Sequence, residues 1–287
     1  MIVNGKSIYV KLHRSNRSDK HILLIHGGPG ESCITFRYFI EELIDFVNVV
    51  EVDQSCCGRS PMTDGASVSV KAVIDDYDLI RRELSIEKWS VLGHSFGGFL
   101  ALEYAKSYPD TIDKIILENP AINLYDSLRC IIFNYFDYFT KSKKYKYFVS
   151  LIKALFSKNV VKMLDTINQI PNHHKREFWG NNFLDKKSEE LLSLDELTDK
   201  QRRNSLMFFN KIKLDADLLC NGWKTLSAVN NDVILLHGEY DKIINSKIKR
   251  KFLRKSNAEF IEVAESGHYI HLANITEMCK VIRNFEG

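Results

Sequence analysis

The chain has 287 residues, of which 45% are apolar, 27% charged and 11% aromatic, and its formal net charge is +3. This length can bury the core of one large α/β domain or two small ones, and so small and dispersed a charge argues against a nucleic-acid partner. No apolar stretch approaches the roughly 18 residues that span a bilayer, and the first residues lack the pattern of a signal peptide. We therefore expect a cytoplasmic protein without a membrane partner.

Residues 1–120 alternate strand-like and helix-like segments, beginning with an Asn-Gly hairpin signal at residues 2–6. The predicted strands cover residues 8–12, 22–25, 47–52, 89–92 and 115–117, and the predicted helices cover residues 36–43, 70–84 and 98–108. The strands are short apolar runs, whereas the helices repeat their apolar residues at helical spacing. Strands separated by helices predict βαβ units and a mostly parallel sheet that is buried on both faces.

The alternation stops after Pro120, and residues 125–217 contain only helix-like stretches rich in Lys, Phe, Tyr and Leu. Examples of these stretches are residues 147–156, 160–167 and 189–197. Strand-like runs then return at residues 233–236 and 260–263, separated by an amphipathic stretch at residues 247–255. The sequence thus predicts an α/β core, formed by residues 1–120 and 218–287, into which an all-helical cap of residues 121–217 is inserted.

Residues 93–97 read Gly-His-Ser-Phe-Gly and stand between a predicted strand and a predicted helix. A serine flanked two positions away by glycine on each side, in this context, is the pattern of a nucleophile elbow. The turn is so sharp that side chains at Gly93 and Gly97 would clash, and it lifts the serine hydroxyl clear of the sheet. Ser95 is therefore the predicted nucleophile.

A serine nucleophile needs a base that takes its proton and a carboxylate that orients the base. In a fold with such an elbow these residues follow in the order Ser, acid, His. Asp241 stands in the loop after the strand-like run 233–236, and His268 stands in the loop after the run 260–263. Because parallel sheets place their sites at the carboxyl ends of strands, we predict Ser95, Asp241 and His268 as a catalytic triad.

An oxyanion hole needs two N–H groups aimed at the charge that develops on the reacting carbonyl oxygen. The first predicted donor is the backbone N–H of Phe96, which follows the nucleophile. The second is the N–H of Gly28, since the glycine-rich segment 26–30 follows an earlier strand and lets the backbone approach a substrate. We expect His26 to be a structural hydrogen-bonding residue, and His94 to pack beneath the nucleophile.

The sequence predicts neither a metal site nor a cofactor. His173 and His174 have no acidic or cysteine partner at ligand spacing, and the pair His268 and His271 lacks a third ligand nearby in the sequence. The six cysteines show no metal-type or disulfide-framework spacing, so we expect reduced thiols, including the adjacent pair Cys56–Cys57.

Two further segments accompany the elbow: residues 26–30, His-Gly-Gly-Pro-Gly, and residues 53–60, Asp-Gln-Ser-Cys-Cys-Gly-Arg-Ser. Together these motifs resemble the α/β-hydrolase superfamily and, more narrowly, its proline iminopeptidase-like branch, which shows Asp-Gln-x-Gly-x-Gly-x-Ser in the second place. The resemblance covers residues 1–120 and 222–287. It implies an α/β-hydrolase fold and the cytosolic hydrolysis of an amide at the N-terminus of a short peptide, with proline favoured as the first residue.

The sequence differs from that branch at the positions that bind the substrate's ammonium group in the aminopeptidases. The elbow Gly-His-Ser-Phe-Gly is as typical of esterases and lactonases, and the residue after the triad acid, commonly Glu in the aminopeptidases, is Lys242. A second amine-binding Glu would fall near Lys211. Two cations would repel a free ammonium group, which favours a substrate without one. Alternatively, Lys242 points to solvent and a cap carboxylate, such as Glu177 or Asp185, holds the amine.

The main hypothesis is therefore a serine hydrolase that acts through an acyl-enzyme on a small-molecule or short-peptide substrate. An esterase or lactonase is one alternative, and a non-catalytic binding protein is another, although a complete triad favours catalysis. Epoxide or haloalkane chemistry needs a carboxylate where Ser95 stands. The aromatic residues of the cap fit an apolar lid over the site or simple packing against the core, and the sequence sets no oligomeric state.

Overall fold

A seven-stranded sheet lies at the centre of the molecule, and a short two-stranded hairpin precedes it. The computed structural model describes residues 1–63, 65, 67–182, 184–193, 197–256 and 258–287. The strands are β1 (Ile2–Val3), β2 (Lys6–Ser7), β3 (Val10–His13), β4 (His21–Ile25), β5 (Asn48–Val52), β6 (Trp89–His94), β7 (Ile112–Glu118), β8 (Asp232–Gly238) and β9 (Glu259–Val263). Their order in the main sheet is β3-β5-β4-β6-β7-β8-β9, in which only β3 runs antiparallel to its neighbour.

Both faces of this sheet are buried, as the continuous apolar runs predict. In β4, Leu23 and Ile25 belong to one hydrophobic cluster, whereas Ile22 and Leu24 belong to a second cluster on the opposite face. This division follows from the two-residue period of a strand, since successive side chains point to opposite faces. A strand whose two faces are both covered needs apolar residues at every position.

Helices cover the two faces of the sheet. Among the described residues, no helix is long and apolar enough to cross a membrane. The α-helices are α1 (Arg37–Leu43), α2 (Val70–Glu83), α3 (Phe96–Ser107), α4 (Leu124–Lys141), α5 (Phe148–Ser157), α6 (Val160–Asn168), α7 (Asn172–Asn182), α8 (Lys186–Ser193), α9 (Asp199–Ile212), α10 (Ala216–Leu219), α11 (Gly222–Leu226), α12 (Ser246–Lys255), α13 (Ile270–Ala273) and α14 (Ile275–Glu286). Short 3-10 turns cover Cys33–Phe36, Pro109–Thr111, Tyr145–Tyr147 and Lys213–Asp215. Helices α2, α3 and α12 place Val73, Leu100 and Ile248 in the first cluster, and α1 and α14 place Phe39 and Met278 in the second.

Helices α4 to α9 lie within the predicted cap range 121–217, and α10 extends two residues beyond it to Leu219. Helices α4 to α7 share a hydrophobic cluster, in which Tyr135, Phe139, Phe178 and Met163 are fully buried, whereas α9 places Phe208 and Ile212 in the first cluster of the core. The predicted helix at residues 189–197 corresponds to the end of α8, while residues 194–196 lie outside the described part. The predicted mostly parallel sheet with flanking helices is confirmed, whereas the division into domains stays a prediction.

The segments at the two ends of the predicted cap meet at one place, which we call the stem (residues 122–123 and 220–222). The Asn123 side-chain amide donates a hydrogen bond to the Cys220 carbonyl. The backbone of Gly222 lies so close to Ile122 that a Cβ atom there would stand 1.6 Å from the Ile122 oxygen. Since β7 and β8 are neighbours in the sheet, the chain leaves the core and returns to it through this stem.

Candidate active site

Ser95 occupies a sharp turn between β6 and α3, with backbone angles φ 52° and ψ −115°. A non-glycine residue held at positive φ stores about 1–3 kcal/mol of strain. The turn is closed by its glycines, because a Cβ atom on Gly93 would lie 2.4 Å from the Gly97 oxygen, and one on Gly97 would lie 2.1 Å from the Ile25 oxygen. Both positions therefore exclude a side chain, which is the local geometry that the pentapeptide predicts.

Asp241 and His268 meet at the carboxyl ends of β8 and β9. The Nδ1–H of His268 donates a hydrogen bond to Asp241 Oδ2. The other carboxylate oxygen, Oδ1, accepts the backbone N–H of Ile243 at 2.8 Å and that of Ile244 at 3.2 Å. Both side chains are buried, and the carboxylate holds the imidazole in the tautomer whose unprotonated Nε2 can act as a base.

The elbow lies against these two loops. The Ser95 N–H donates to the Glu118 carbonyl at 2.9 Å, which ties the nucleophile to the end of β7. The ring of His94, the residue before the nucleophile, has its centroid 4.8 Å from that of His268. The structure thus brings the three predicted triad residues to one edge of the sheet, as their positions after strands predict.

Asn119 joins the two triad loops, and no motif in the sequence indicates this role. Its Nδ2 donates to the carbonyls of Gly267 at 3.0 Å and His268 at 2.9 Å. Its Oδ1 accepts the N–H of Gly238 at 3.0 Å and the Nδ1–H of His237 at 3.2 Å. All four hydrogen-bonding positions of this fully buried amide are used. The available signal was its position, since it directly follows β7 at the edge where parallel sheets place their sites.

The two predicted oxyanion donors belong to two backbone segments that meet at the elbow. Phe96 is the first residue of α3, and the first amides of a helix have no acceptor within the helix itself. Gly28 stands in the loop after β4, and this loop touches the elbow, because a Cβ atom on Gly27 would lie 3.1 Å from Ser95 Cβ. A carbonyl oxygen bound beside Ser95 therefore lies between two backbone segments that can supply N–H groups, while the role of Gly28 and Phe96 as donors stays a prediction.

His26 fixes the start of this loop. Its Nδ1–H donates to the Gly27 carbonyl at 3.1 Å, and its Nε2 accepts the Gln54 N–H at 3.0 Å. This arrangement requires a neutral imidazole. Burial lowers the pKa of His26, although the nearby Asp53 opposes that effect. His26 therefore has the structural hydrogen-bonding contacts that its place at the end of a strand predicts.

Asp53 directly follows the neighbouring strand β5 and binds the residues that come just after this loop. Its carboxylate accepts hydrogen bonds from the Ser32 hydroxyl at 2.8 Å, the Cys33 N–H at 2.7 Å and the Arg59 Nε–H at 2.8 Å. Burial acts to raise the pKa of Asp53, but the hydrogen bonds and charge of Arg59 outweigh it and hold that pKa below its usual range. The first residues of the predicted Asp-Gln motif thus position the predicted oxyanion loop.

A buried group of three residues lies beneath the nucleophile. Glu118 accepts hydrogen bonds from the His271 N–H at 2.9 Å and the His271 Nδ1–H at 2.8 Å, and His94 Nδ1 lies 3.3 Å from the same carboxylate. Burial acts to raise the pKa of Glu118, but His271 and His94 outweigh it and hold that pKa well below its usual range. The sequence indicates no third ligand beside the pair His268 and His271. The structure groups His271 instead with Glu118 and His94, whose potential ligand atoms lie within 4.8 Å of one another, and Glu118 already accepts hydrogen bonds from His271.

The predicted substrate-binding residues lie in different surroundings. Lys242 is exposed beside Asp241, and Lys211 is half-buried on α9. Glu177 is exposed on α7, where Oε2 accepts the Tyr138 hydroxyl at 2.6 Å. On the same helix, Trp179 has its ring centroid 6.1 Å from that of His268. The helix α7 therefore reaches the triad through Trp179, and a role in substrate binding for Lys242, Lys211 and Glu177 stays a prediction.

Comparison with known proteins places this geometry in a family. Residues 20–274 match the family model of the α/β hydrolase fold. The proline iminopeptidase of Saccharolobus solfataricus is 31% identical over 118 residues, which are 40% of this chain and 38% of that protein. The match therefore spans well under two thirds of that relative's length.

Solved structures agree over nearly the whole chain. A proline iminopeptidase-related protein from Thermus thermophilus superposes with a TM-score of 0.74 at 17% identity, over 98% of this chain and 94% of that one. The enol-lactonase from Burkholderia xenovorans superposes with a TM-score of 0.69 at 14% identity, over 100% of this chain and 98% of that one. At such identities the likeness concerns the fold alone. Because the family model covers most of its residues, the chain belongs to the α/β-hydrolase family and is a hydrolase.

Proposed function

We propose that the chain is a serine hydrolase that works through an acyl-enzyme and releases N-terminal residues from short peptides. The observation that carries the proposal is the buried hydrogen bond between His268 and Asp241 at the sheet edge where Ser95 is held at positive φ. The proline iminopeptidase that is 31% identical over part of the chain supports the choice of substrate class.

In the first step Ser95 Oγ attacks the carbonyl carbon of the substrate, and its proton passes to His268 Nε2. Asp241 stabilises the imidazolium that forms, since its Oδ2 accepts the Nδ1–H. The N–H groups of Phe96 and Gly28 bind the oxygen that becomes negative. When the intermediate collapses, His268 gives the proton to the leaving amine or alcohol, and Ser95 keeps the acyl group as an ester.

In the second step a water molecule attacks this ester, and His268 takes the water's proton. Collapse of the second tetrahedral intermediate breaks the bond between the acyl carbon and Ser95 Oγ, and the proton on His268 returns to Ser95. The product is a free carboxylic acid, and each proton that leaves a nucleophile returns to a leaving group. The cycle requires only the side chains and amides described above together with water.

The test combines labelling with turnover. A fluorophosphonate probe is expected to label the wild type and not Ser95→Ala, and turnover by Ser95→Ala is expected to fall by about 10⁴-fold or more. A His268→Ala variant provides a matched second knockout with the same expected loss. Labelling of Ser95→Ala equal to that of the wild type would rule out Ser95 as the nucleophile.

A second candidate is an esterase or lactonase whose substrate lacks a free amine, which Lys242 beside Asp241 favours. A panel of prolyl and alanyl arylamides, their N-acylated forms and short-chain aryl esters separates the two candidates. Faster turnover of the free-amine arylamides supports the peptidase. Turnover confined to the esters and N-acylated forms supports the second candidate.

A further inference from the structure

One carboxylate that the proposed mechanism does not use lies beside the nucleophile. Glu31 directly follows the glycine-rich loop, and its Oε2 atom faces the elbow. A Cβ atom on Gly27 would lie 3.0 Å from Glu31 Oε2 and 3.1 Å from Ser95 Cβ. The carboxylate oxygen and the nucleophile's Cβ atom are therefore separated by no more than the sum of these two distances.

The Glu31 side chain is held in this place by Tyr269. The Tyr269 hydroxyl donates to Glu31 Oε1 at 2.7 Å, and the Tyr269 ring has its centroid 4.7 Å from that of His94. Burial and the charge of Glu31 raise the pKa of Tyr269 well above its usual range, so the phenol keeps its proton and remains a donor. One oxygen of the carboxylate is thus anchored to a residue next to His268.

The other oxygen, Glu31 Oε2, is buried and has no hydrogen-bond partner among the residues that the structure describes. A buried carboxylate oxygen without a partner is costly, because it has lost its water without gaining a donor. Such exceptions are uncommon in folded proteins, and a role in binding or catalysis is one explanation for them. Here the missing donor would stand next to Ser95, where a substrate binds.

The two cap carboxylates that could have held a substrate's amine are already engaged. Glu177 Oε2 accepts the Tyr138 hydroxyl at 2.6 Å on the exposed side of α7. Asp185 accepts the Ser188 N–H at 2.8 Å and the Ser188 hydroxyl at 2.7 Å at the start of α8, and the Gly267 N–H lies 3.4 Å from it. Of these three carboxylates, Glu31 alone combines an unpartnered buried oxygen with a position against the elbow.

We propose that Glu31 binds a cationic ammonium group on the carbon next to the reacting carbonyl, and so selects substrates with a free α-amine. This inference rests on the proposed function of Ser95. In the acyl-enzyme, only the carbonyl carbon and the α-carbon separate the ammonium nitrogen from Ser95 Oγ, so rotation about the bond between these two carbons can bring that nitrogen to the side of Ser95 on which Glu31 Oε2 lies. An ammonium ion supplies the donor that this oxygen lacks, and its charge compensates a carboxylate that would otherwise oppose the developing oxyanion.

The test uses pairs of substrates that differ only in this charge. Alanyl and isobutyryl esters of one phenol have acyl groups of nearly equal shape, with NH₃⁺ in one where the other has CH₃. Prolyl and cyclopentanecarbonyl esters form a second such pair. Glu31→Gln is expected to lower kcat/KM for the ammonium-bearing esters by about 10- to 100-fold, the effect of one charge-assisted hydrogen bond, and to leave the uncharged esters equal or faster.

Two further variants complete the design. Tyr269→Phe removes the anchor of Glu31 and is expected to lower the ratio of charged to uncharged turnover by about three- to tenfold, which keeps the test decisive if Glu31→Gln does not fold. Glu42→Gln, on the exposed face of α1, is the matched control and is expected to leave the ratio at the wild-type value.

The outcomes separate this inference from the proposed function. Equal losses of kcat/KM for both members of a pair would show a merely structural role for Glu31. Wild-type kcat/KM for both members would show that the charge of Glu31 does not act on the substrate. Either result overturns the inference. A wild type that turns over only the uncharged esters also overturns it, while the serine hydrolase mechanism stands. Absence of both turnover and fluorophosphonate labelling at Ser95 contradicts the proposed function itself.

Discussion

The sheet edge that carries Ser95 and the helical cap above it are held by different kinds of contact. At the edge, single atoms are fixed by directional hydrogen bonds, as in the four bonds of Asn119 and the two backbone amides on Asp241. In the cap, aromatic rings pack face to face, as for Tyr135 and Phe178, whose centroids are 3.6 Å apart.

This difference has a chemical consequence. Hydrogen bonds lose their strength when an atom moves by a fraction of an ångström or a donor is removed, whereas apolar packing tolerates substitutions of similar volume. The geometry of the reaction is therefore specified at the sheet edge, and the shape of the substrate pocket can vary with the cap. Three substitutions test this comparison, in decreasing order of expected effect.

Asn119→Asp should have the largest effect. Aspartate keeps the acceptor for Gly238 but cannot donate to the carbonyls of Gly267 and His268, and it would place a charge in a fully buried position. We expect kcat for an aryl ester to fall by about 100-fold or more and the free energy of unfolding to fall by about 2–4 kcal/mol. Steady-state kinetics and urea denaturation measure both quantities. Asn168→Asp on the exposed side of α6 is the control, and a wild-type kcat in Asn119→Asp would break the comparison.

Protonation of His26 should lower the free energy of unfolding in acid. Its pKa is lowered by burial in the folded state, so the unfolded chain binds a proton more readily and stability falls as the pH drops below about 6.5, the usual value in an unfolded chain. Between pH 7 and pH 5 we expect this residue to account for a loss of about 1–2 kcal/mol, because protonation breaks the Gln54 hydrogen bond to Nε2.

Replacement by glutamine isolates this contribution, since Gln retains an acceptor and does not titrate. Urea denaturation at several pH values should show a smaller slope of stability against pH in His26→Gln than in the wild type. The slope does not vanish, because burial also lowers the pKa of His237. His173→Gln, on an exposed position of α7, serves as the control. Identical slopes in His26→Gln and the wild type would disprove the assignment.

Trp179→Leu should have the smallest effect. Its ring lies 6.1 Å from that of His268, so the substitution changes the wall of the site without removing a hydrogen bond described at the triad. We expect KM to change by about two- to fivefold across aryl esters of increasing acyl size, with kcat within about twofold of the wild type. A fall in kcat as large as that of Asn119→Asp would show that the cap also sets the chemistry.

Much of the fold could be predicted from the sequence because its strands carry an unmistakable pattern. A parallel strand buried on both faces is a continuous apolar run, and residues 22–25 and 47–52 fall on β4 and β5. Ser95 is predicted from the Gly-x-Ser-x-Gly turn, and Asp241 and His268 are predicted from their places in the loops after such runs, since these loops lie at the carboxyl edge of the sheet.

The roles of Asn119 and Glu31 could not be assigned in this way, although Asn119 directly follows β7. The importance of Asn119 depends on three loops that meet in space and are far apart in the sequence. That of Glu31 depends on a hydroxyl group from Tyr269 and on the close approach of Gly27 to the elbow. In the sequence each is an ordinary loop residue, and only its contacts in the folded protein indicate its role.

The stem of the cap has a consequence for how such a chain can change. Because Asn123 binds Cys220 and Gly222 packs on Ile122, the two ends of the inserted segment are held together at the stem. Lengthening a segment whose ends are already joined adds little loop-closure entropy, about 0.6 kcal/mol for each doubling. The register of β7 with β8 is held by the pairing of these two strands. An insertion at this stem can therefore become longer at little entropic cost to the strands that carry the catalytic loops.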